Sequence, residues 1–349
     1  MAGISNKIYI RADANFNIGM GHIMRCLSVA DSLQAKKMDV SFVMAGEDAM
    51  PLVKERGFKA KVLGTDYTNL EDEISIWSPE KGSRVIVDTY YVTEDYLRSF
   101  QSKLGEDGNL IFIDDLGKFA YPVDMLINYN AFCKYIDYES LYRNADLPVP
   151  KIVMGVEYTP LRQMFRNIPK RVQNRDVKNV LVSTGGSDML HIALKLVEYL
   201  KSIEPDFVFH ILLGRMNPDG ESIKKSAGNG IVVHENVTDM RSLILSCDIA
   251  VSAAGSTVYE ISACGVPMIT YVVADNQILG AKALVDLGLA VDCGDFREEQ
   301  SPGAAIVNAV KDLASDYKKR VHMGDRMQQL IDGMGADRLS EAIVYSTKC

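Results

Sequence analysis

An α/β protein made of two consecutive β/α domains is what this sequence predicts, on three observations. Short apolar runs that stop on Asp, Asn, Gly or Ser alternate with helical stretches through both halves of the chain. That alternation weakens once, between Ile152 and about Val177, and starts afresh at Asn179. At 349 residues the chain is also long for one core. The expected architecture is two Rossmann-like domains facing across a cleft, residues 1–165 and 176–349, with the last helix able to pack back on the first domain.

The first unit is written in Lys7 to Arg25. Ile8, Tyr9 and Ile10 read as a strand, Asp13, Asn15, Asn17, Gly19 and Gly21 as a loop, and Leu27, Val29 and Leu33 as the buried side of a helix. Gly19 and Gly21 permit a tight turn and the close approach of a ligand. His22 falls in the first turn of the helix, where unpaired N–H groups and the dipole favour an anion. A group that titrates near neutrality there suits a general base or acid. The plainer reading is a histidine that only hydrogen-bonds the loop.

Val40–Met44 and Lys59–Val62 read as the next strands, with a helix over Asn69–Trp77. Arg84–Asp88, Asn109–Asp115 and Met125–Asn128 then repeat one design, an apolar strand that ends on polar residues. Three strands thereby bring Asp88 with Tyr90, Asp114 with Asp115, and Asn128 with Tyr129 and Asn130 to one rim of a sheet, where open α/β sheets bind ligands. An aspartate at a strand end serves equally as the cap of the next helix.

In the second half, strands are expected over Asn179–Ser183, Phe207–Leu213, Ile231–His234, Asp248–Ser252 and Pro267–Val273, with helices over the last 50 or so residues. Two strand-to-helix loops are built from small residues, Thr184-Gly185-Gly186-Ser187 and Ala254-Gly255-Ser256-Thr257. Each offers N–H and hydroxyl donors for a phosphate oxygen, and two in one domain suggest a diphosphate site. Glu260, four residues after Ser256, lies on the same helix face, as a ribose ligand or as a plain exposed charge.

Composition narrows the function. The net charge is −8 with no basic block, which argues against an electrostatic grip on nucleic acid or an anionic membrane. Cys26, Cys133, Cys247, Cys264, Cys293 and Cys349 are scattered with no C-x-x-C pair, so neither a disulfide framework nor a zinc site is expected. Without an h-region or an apolar run of about 20 residues, a cytoplasmic protein is expected. The chain lacks G-x-x-x-x-G-K-[ST], has no G-x-G-x-x-G after its first strand and shows no D-x-D dyad, so no P-loop, nicotinamide cofactor or metal–diphosphate bridge is expected. His191, His210 and His322 are read as structural, and His234 is isolated.

Taken in order, Arg11-x-Asp13, Gly19-x-Gly21-His22-x-x-Arg25, Val87-Asp88-x-Tyr90, Ile113-Asp114-Asp115, Gly185-Gly186-Ser187-Asp188, Ala253-Ala254-Gly255-Ser256-Thr257 and Ala274-Asp275-Asn276-Gln277 resemble the PseG family, the UDP-sugar hydrolases of pseudaminic acid biosynthesis. The resemblance runs from about Lys7 to the GADRLSEAI segment, and the two glycine loops of the second half are shared with GT-B glycosyltransferases such as MurG. It implies a GT-B architecture, a UDP-sugar substrate, and metal-independent, inverting hydrolysis of a UDP-linked 2,4-diacetamido-2,4,6-trideoxy hexose. No cofactor is implied; transient contact with other enzymes of the sugar pathway is.

Carried onto this chain, the resemblance makes His22 the base that activates water, with Tyr90 lining the water or sugar site; Asp13, close by in the loop, is expected to orient the ring or bias its tautomer. Arg11, Gly19, Gly21, Arg25, Asp88 and Asn128 are expected to bind substrate. Gly185, Gly186, Ser187, Gly255, Ser256, Thr257 and Glu260 face diphosphate and ribose; Asp275, Asn276 and Gln277 reach diphosphate or sugar. Where the family pattern has Asp-His-Tyr, this chain has Asp88-Thr89-Tyr90-Tyr91, which removes a second titratable group from the sugar side. Alternation along an extended stretch lets only one of Tyr90 and Tyr91 face the site.

Overall fold

The structure, a computed structural model, describes residues 5–214 and 216–346. The chain divides into two compact units, Met1–Arg162 with Met334–Cys349, and Gln163–Gly333. Cys349, named above, lies outside the described residues.

In the first unit the order is β1 (Lys7–Ala12), α1 (Gly21–Ala35), β2 (Asp39–Met44), α2 (Met50–Glu55), β3 (Lys59–Val62), α3 (Glu71–Ile76), β4 (Arg84–Asp88), α4 (Glu94–Leu104), β5 (Asn109–Ile113), β6 (Met125–Asn128), α5 (Tyr138–Asn144) and β7 (Lys151–Met154). The seven strands form one parallel sheet in the order β3-β2-β1-β4-β5-β6-β7. Strands β4, β5 and β6 are buried along their whole length, as a sheet covered on both faces demands, whereas edge strand β3 alternates between exposed and half-buried residues. Helix α1 lays Ile23, Cys26, Leu27, Ala30 and Leu33 on that sheet.

The last helix, α13 (Gly335–Val344), belongs to this unit and packs on α1. Two contacts seat it. A Cβ at Gly335 would come within 2.1 Å of the Thr159 carbonyl oxygen, so only glycine lets the helix begin against that backbone. At its other end the Arg84 guanidinium donates to the Val344 carbonyl at 3.1 Å, taking up one of the carbonyls a helix terminus leaves unpaired.

The second unit holds β8 (Asn179–Ser183), α6 (Ile192–Lys201), β9 (Val208–Leu212), α7 (Gly220–Lys224), β10 (Ile231–His234), α8 (Met240–Leu245), β11 (Ile249–Ala253), α9 (Thr257–Ala263), β12 (Met268–Val272), α10 (Ile278–Asp286), β13 (Val291–Asp295), α11 (Pro302–Ser315) and α12 (Tyr317–Leu330). Its six strands are again all parallel, in the order β10-β9-β8-β11-β12-β13. The stretch 166–175, left between the domains above, is tied into this unit. Arg171 donates to the carbonyls of Leu245 and Cys247, and Gln173 donates to that of Gly265.

Strands β7 and β13 were not foreseen. Each closes the end of its sheet, is only partly buried and carries no long apolar run; β13 also shifts register against β12 beside Gly294, whose φ is +96°. In each sheet the connections leave in opposite directions at one point, between β1 and β4 and between β8 and β11. That reversal opens a crevice at the carboxyl ends of those strands.

Candidate active site

The loop from β1 to α1 is held by its own side chains. Asn15 Oδ1 accepts from the Asn17 and Ile18 amides at 2.9 and 3.0 Å, and the Gly19 amide returns to the Asn15 carbonyl at 2.8 Å. Gly19 has a φ of +71°, which a side chain there would disfavour, and a Cβ on Gly21 would meet open space. Helix α1 starts immediately, so His22 stands in its first turn at the switch point, 4 % exposed.

The carboxylate bonded to the His22 ring is Asp88, at the end of the neighbouring strand β4: Nδ1 to Oδ1 is 2.6 Å. This corrects the assignment of Asp13 to that role. Asp13 instead accepts from Arg11 and from the Ala45 amide at 2.7 Å. Burial alone would raise the Asp88 carboxyl, but the Arg25 guanidinium and the His22 ring together hold it well below the usual carboxylate range. An ionised carboxylate this close requires a proton on Nδ1, so the neutral ring is the Nδ1–H tautomer. Arg25 also lies 3.1 Å from Nδ1, but its proton there goes to Asp88 Oδ1, since two donors cannot bond each other. No described residue is bonded to Nε2, which is left as the basic nitrogen.

Of the two tyrosines, Tyr90 is the one against the histidine, edge-on with ring centroids 4.4 Å apart. Tyr91 packs on Tyr67 at 5.6 Å, and Tyr67 accepts from Asn17 of the first loop at 3.0 Å. The aromatic rim thus joins the loops after β1, β3 and β4.

Three of the expected substrate-binding residues spend their donors within the protein. Arg11 is fully buried, forked onto Glu73 and bonded to Asp13. Asn128 is buried and spends its carboxamide on Tyr138 at 2.8 Å and on Asn130 at 3.1 Å. Arg25 spends its donors on Asp88, on Asp115 (3.1 and 2.7 Å) and on the Tyr129 hydroxyl (2.7 Å). Asp114 is the turn aspartate of its pair, accepting from the Leu116 and Gly117 amides and from the hydroxyls of Tyr121 and Tyr138. Substituting Arg11→Met strands Glu73 and Asp13 with no cation. Since removing one partner of a buried ion pair typically costs about 3–5 kcal/mol, urea unfolding of the variant should show a loss of that size.

In the second unit the loops after β8, β11 and β12, three neighbouring strands, leave the same sheet edge. Gly185, Gly186, Gly255, Ser256 and Asn276 are exposed there; Ser187, Thr257 and Glu260 are half-buried. Around Gly185 the expected donor arrangement is corrected. Helix α6 begins only at Ile192, and the Asp188 carboxylate already accepts from the Ile192 and Ala193 amides at 2.9 Å each. That helix start is therefore filled by the protein's own anion, leaving the 185–187 turn and the loop into α9 as the places for an external one. The Asp275 carboxylate is paired with Arg297, and Gln277 Oε1 accepts from the Val273 amide at 3.0 Å. A surface cavity of about 520 Å³, lined by Met164, Thr238, Asp239, Arg241, Ser242 and Leu245, was not foreseen because no motif marks it. Among the described residues no group of three or more His, Cys, Asp or Glu is placed to hold a metal ion, and no helix is long and apolar enough to cross a membrane.

Comparisons with known proteins follow this geometry. Residues 179–338 match the glycosyltransferase family 28 C-terminal domain. An uncharacterized protein of Methanocaldococcus jannaschii is 27% identical over 285 residues, 75% of this chain and 55% of that protein, so the chain spans about half of this relative's length. A UDP-2,4-diacetamido-2,4,6-trideoxy-beta-L-altropyranose hydrolase of Campylobacter jejuni is 26% identical over 261 residues, 71% of this chain and 87% of the hydrolase. The crystal structure of MurG from Acinetobacter baumannii superposes with a TM-score of 0.65 at 14% identity, over 97% of this chain and 99% of that one. The likeness shows the fold, GT-B with two Rossmann-like domains. By sequence the chain is similar to those hydrolases, by fold it is GT-B, and residues 179–338 match the glycosyltransferase family 28 C-terminal domain.

Proposed function

We propose that this chain is a cytoplasmic hydrolase that releases UDP from a UDP-linked 2,4-diacetamido-2,4,6-trideoxy hexose, with inversion and without a metal, for pseudaminic acid biosynthesis. The observation that carries the reading is the His22–Asp88 pair at the switch point of the first sheet, its Nε2 bonded to no described residue. Nε2 takes a proton from water as the water oxygen bonds to the anomeric carbon. The bond from that carbon to the diphosphate oxygen breaks with both electrons leaving on UDP. In the second unit the exposed turns after β8 and β11 offer backbone N–H groups that suit an anion such as a diphosphate. Tyr90, packed on the ring, lines the water or sugar site.

A second reading is favoured by one observation, the match of residues 179–338 to a glycosyltransferase domain. In it the same base would deprotonate an acceptor hydroxyl in place of water. One experiment separates the two: incubation with a panel of UDP-linked diacetamido and acetamido hexoses, following UDP release and the product anomer by NMR. Hydrolysis predicts release of UDP and an inverted free sugar with no acceptor added, unchanged by a chelator. Release that waits for a hydroxylated acceptor establishes transfer; UDP binding with no turnover over hours removes both.

A further inference from the structure

Asp88 serves three partners. Besides the His22 ring it accepts from Arg25 Nε at 2.6 Å, from a second Arg25 nitrogen and from the Cys26 thiol at 3.2 Å. Arg25, one turn along α1 from His22, is itself divided. It reaches Asp88 at the end of β4, Asp115 after β5 and the Tyr129 hydroxyl after β6, so its Nε and both terminal nitrogens are engaged within the protein. A guanidinium offers five N–H donors, and these contacts use all five, which leaves none for a substrate phosphate. Asp115 is further held by the Asn130 carboxamide at 2.7 Å.

The groups facing His22 are Asp88 and Tyr90 from the β4 end and Arg25 from α1; Cys26 donates to Asp88, and Asp115 and Tyr129 stand behind Arg25. Burial pushes the Cys26 thiol and the Tyr129 phenol up, so both stay neutral. With the ring neutral, the charged members are two carboxylates and one guanidinium, a net charge of −1 held within a few hydrogen bonds of the imidazole. The set therefore responds to removal of either outer member with opposite sign.

We propose that Arg25 and Asp115 are positioning residues which together set the proton affinity of His22, Arg25 by sharing Asp88 with the ring and Asp115 by sharing Arg25 with Asp88. This rests on His22 being the base, and it deepens that reading: the basicity is fixed by residues that touch no substrate. Arg25→Met leaves the ring facing two undivided carboxylates and raises its proton affinity. Asp115→Asn leaves one carboxylate against one guanidinium and lowers it. Arg25→Lys keeps the charge without the fork.

The test is an NMR titration of the His22 ring nitrogens in the ligand-free full chain, the resonance assigned by its loss in His22→Asn. A charge change within about 4–6 Å commonly moves a midpoint by about one to three pH units. The expected result is a midpoint about one unit higher in Arg25→Met, lower in Asp115→Asn and near wild type in Arg25→Lys. A midpoint that stays put in Arg25→Met and Asp115→Asn, or moves the same way in both, overturns the proposal. Should Arg25→Met fail to fold, the downward shift in Asp115→Asn decides. The titration needs no turnover, so a chain that hydrolyses no UDP-sugar leaves it standing. In the active protein the acid limb of kcat/KM should follow the same order.

Discussion

His22→Ala lowers kcat by about two to four orders of magnitude, the span a positioned general base usually contributes, and leaves UDP affinity within about a factor of two. The argument for so selective a loss is structural. Removing the imidazole does not strand a charge, because Asp88 keeps two bonds from Arg25 and one from Cys26. The fold should therefore tolerate the change at the cost of a small cavity, and circular dichroism with a melting curve checks that directly. The exposed turns proposed to meet the diphosphate belong to the second unit, in which His22 takes no part. Calorimetric titration with UDP alongside the rate assay reads the two effects separately. Equal losses of binding and turnover would move His22 from catalysis to scaffolding.

How far the site was legible depended on whether its signal was local. The Gly19-x-Gly21-His22 loop announces a strand, a tight turn and a helix within a dozen residues, and the switch point stands there. Strand-end carboxylates were legible for the same reason: an apolar run that stops on Asp88 places that side chain at the rim. What the chain does not spell out is which rim residue meets which. Arg11-x-Asp13 reads as part of the site through the family resemblance. The residue that neutralises Arg11 is Glu73, 62 positions away on a short helix with no motif. From the sequence Asp13 is expected to orient the His22 ring, whereas parallel pairing of β1 with β4 sets Ala12 beside Asp88 and brings that carboxylate to the ring. At the Gly185 loop only the helix start was misread, for the opposite reason. Its local pattern is that of a phosphate loop, but Asp188, also local, caps the helix that the pattern relies on.

Asp88→Asn should cost about as much rate as losing His22 itself. In the present site the Asp88 carboxylate accepts everything around it: Nδ1–H from the ring, two bonds from Arg25 and one from Cys26. A carboxamide has one accepting oxygen and one donating nitrogen. Arg25, which can only donate, claims the oxygen, so the NH2 group turns to the ring and donates to Nδ1. The proton of the neutral imidazole is then forced onto Nε2, and the lone pair that should take a proton from water points inward. In enzymes where a buried aspartate fixes the tautomer of a catalytic histidine, this exchange lowers kcat by about 10⁴. Two observations separate this from simple damage. Arg25 keeps Asp115 and Tyr129, so the cluster retains a paired cation and the chain should melt near the wild-type temperature. The double variant with His22→Ala should be no slower than His22→Ala alone, because carboxylate and imidazole act as one unit. Rates that multiply in the double variant would show Asp88 acting on the substrate by itself, and the tautomer argument would fail.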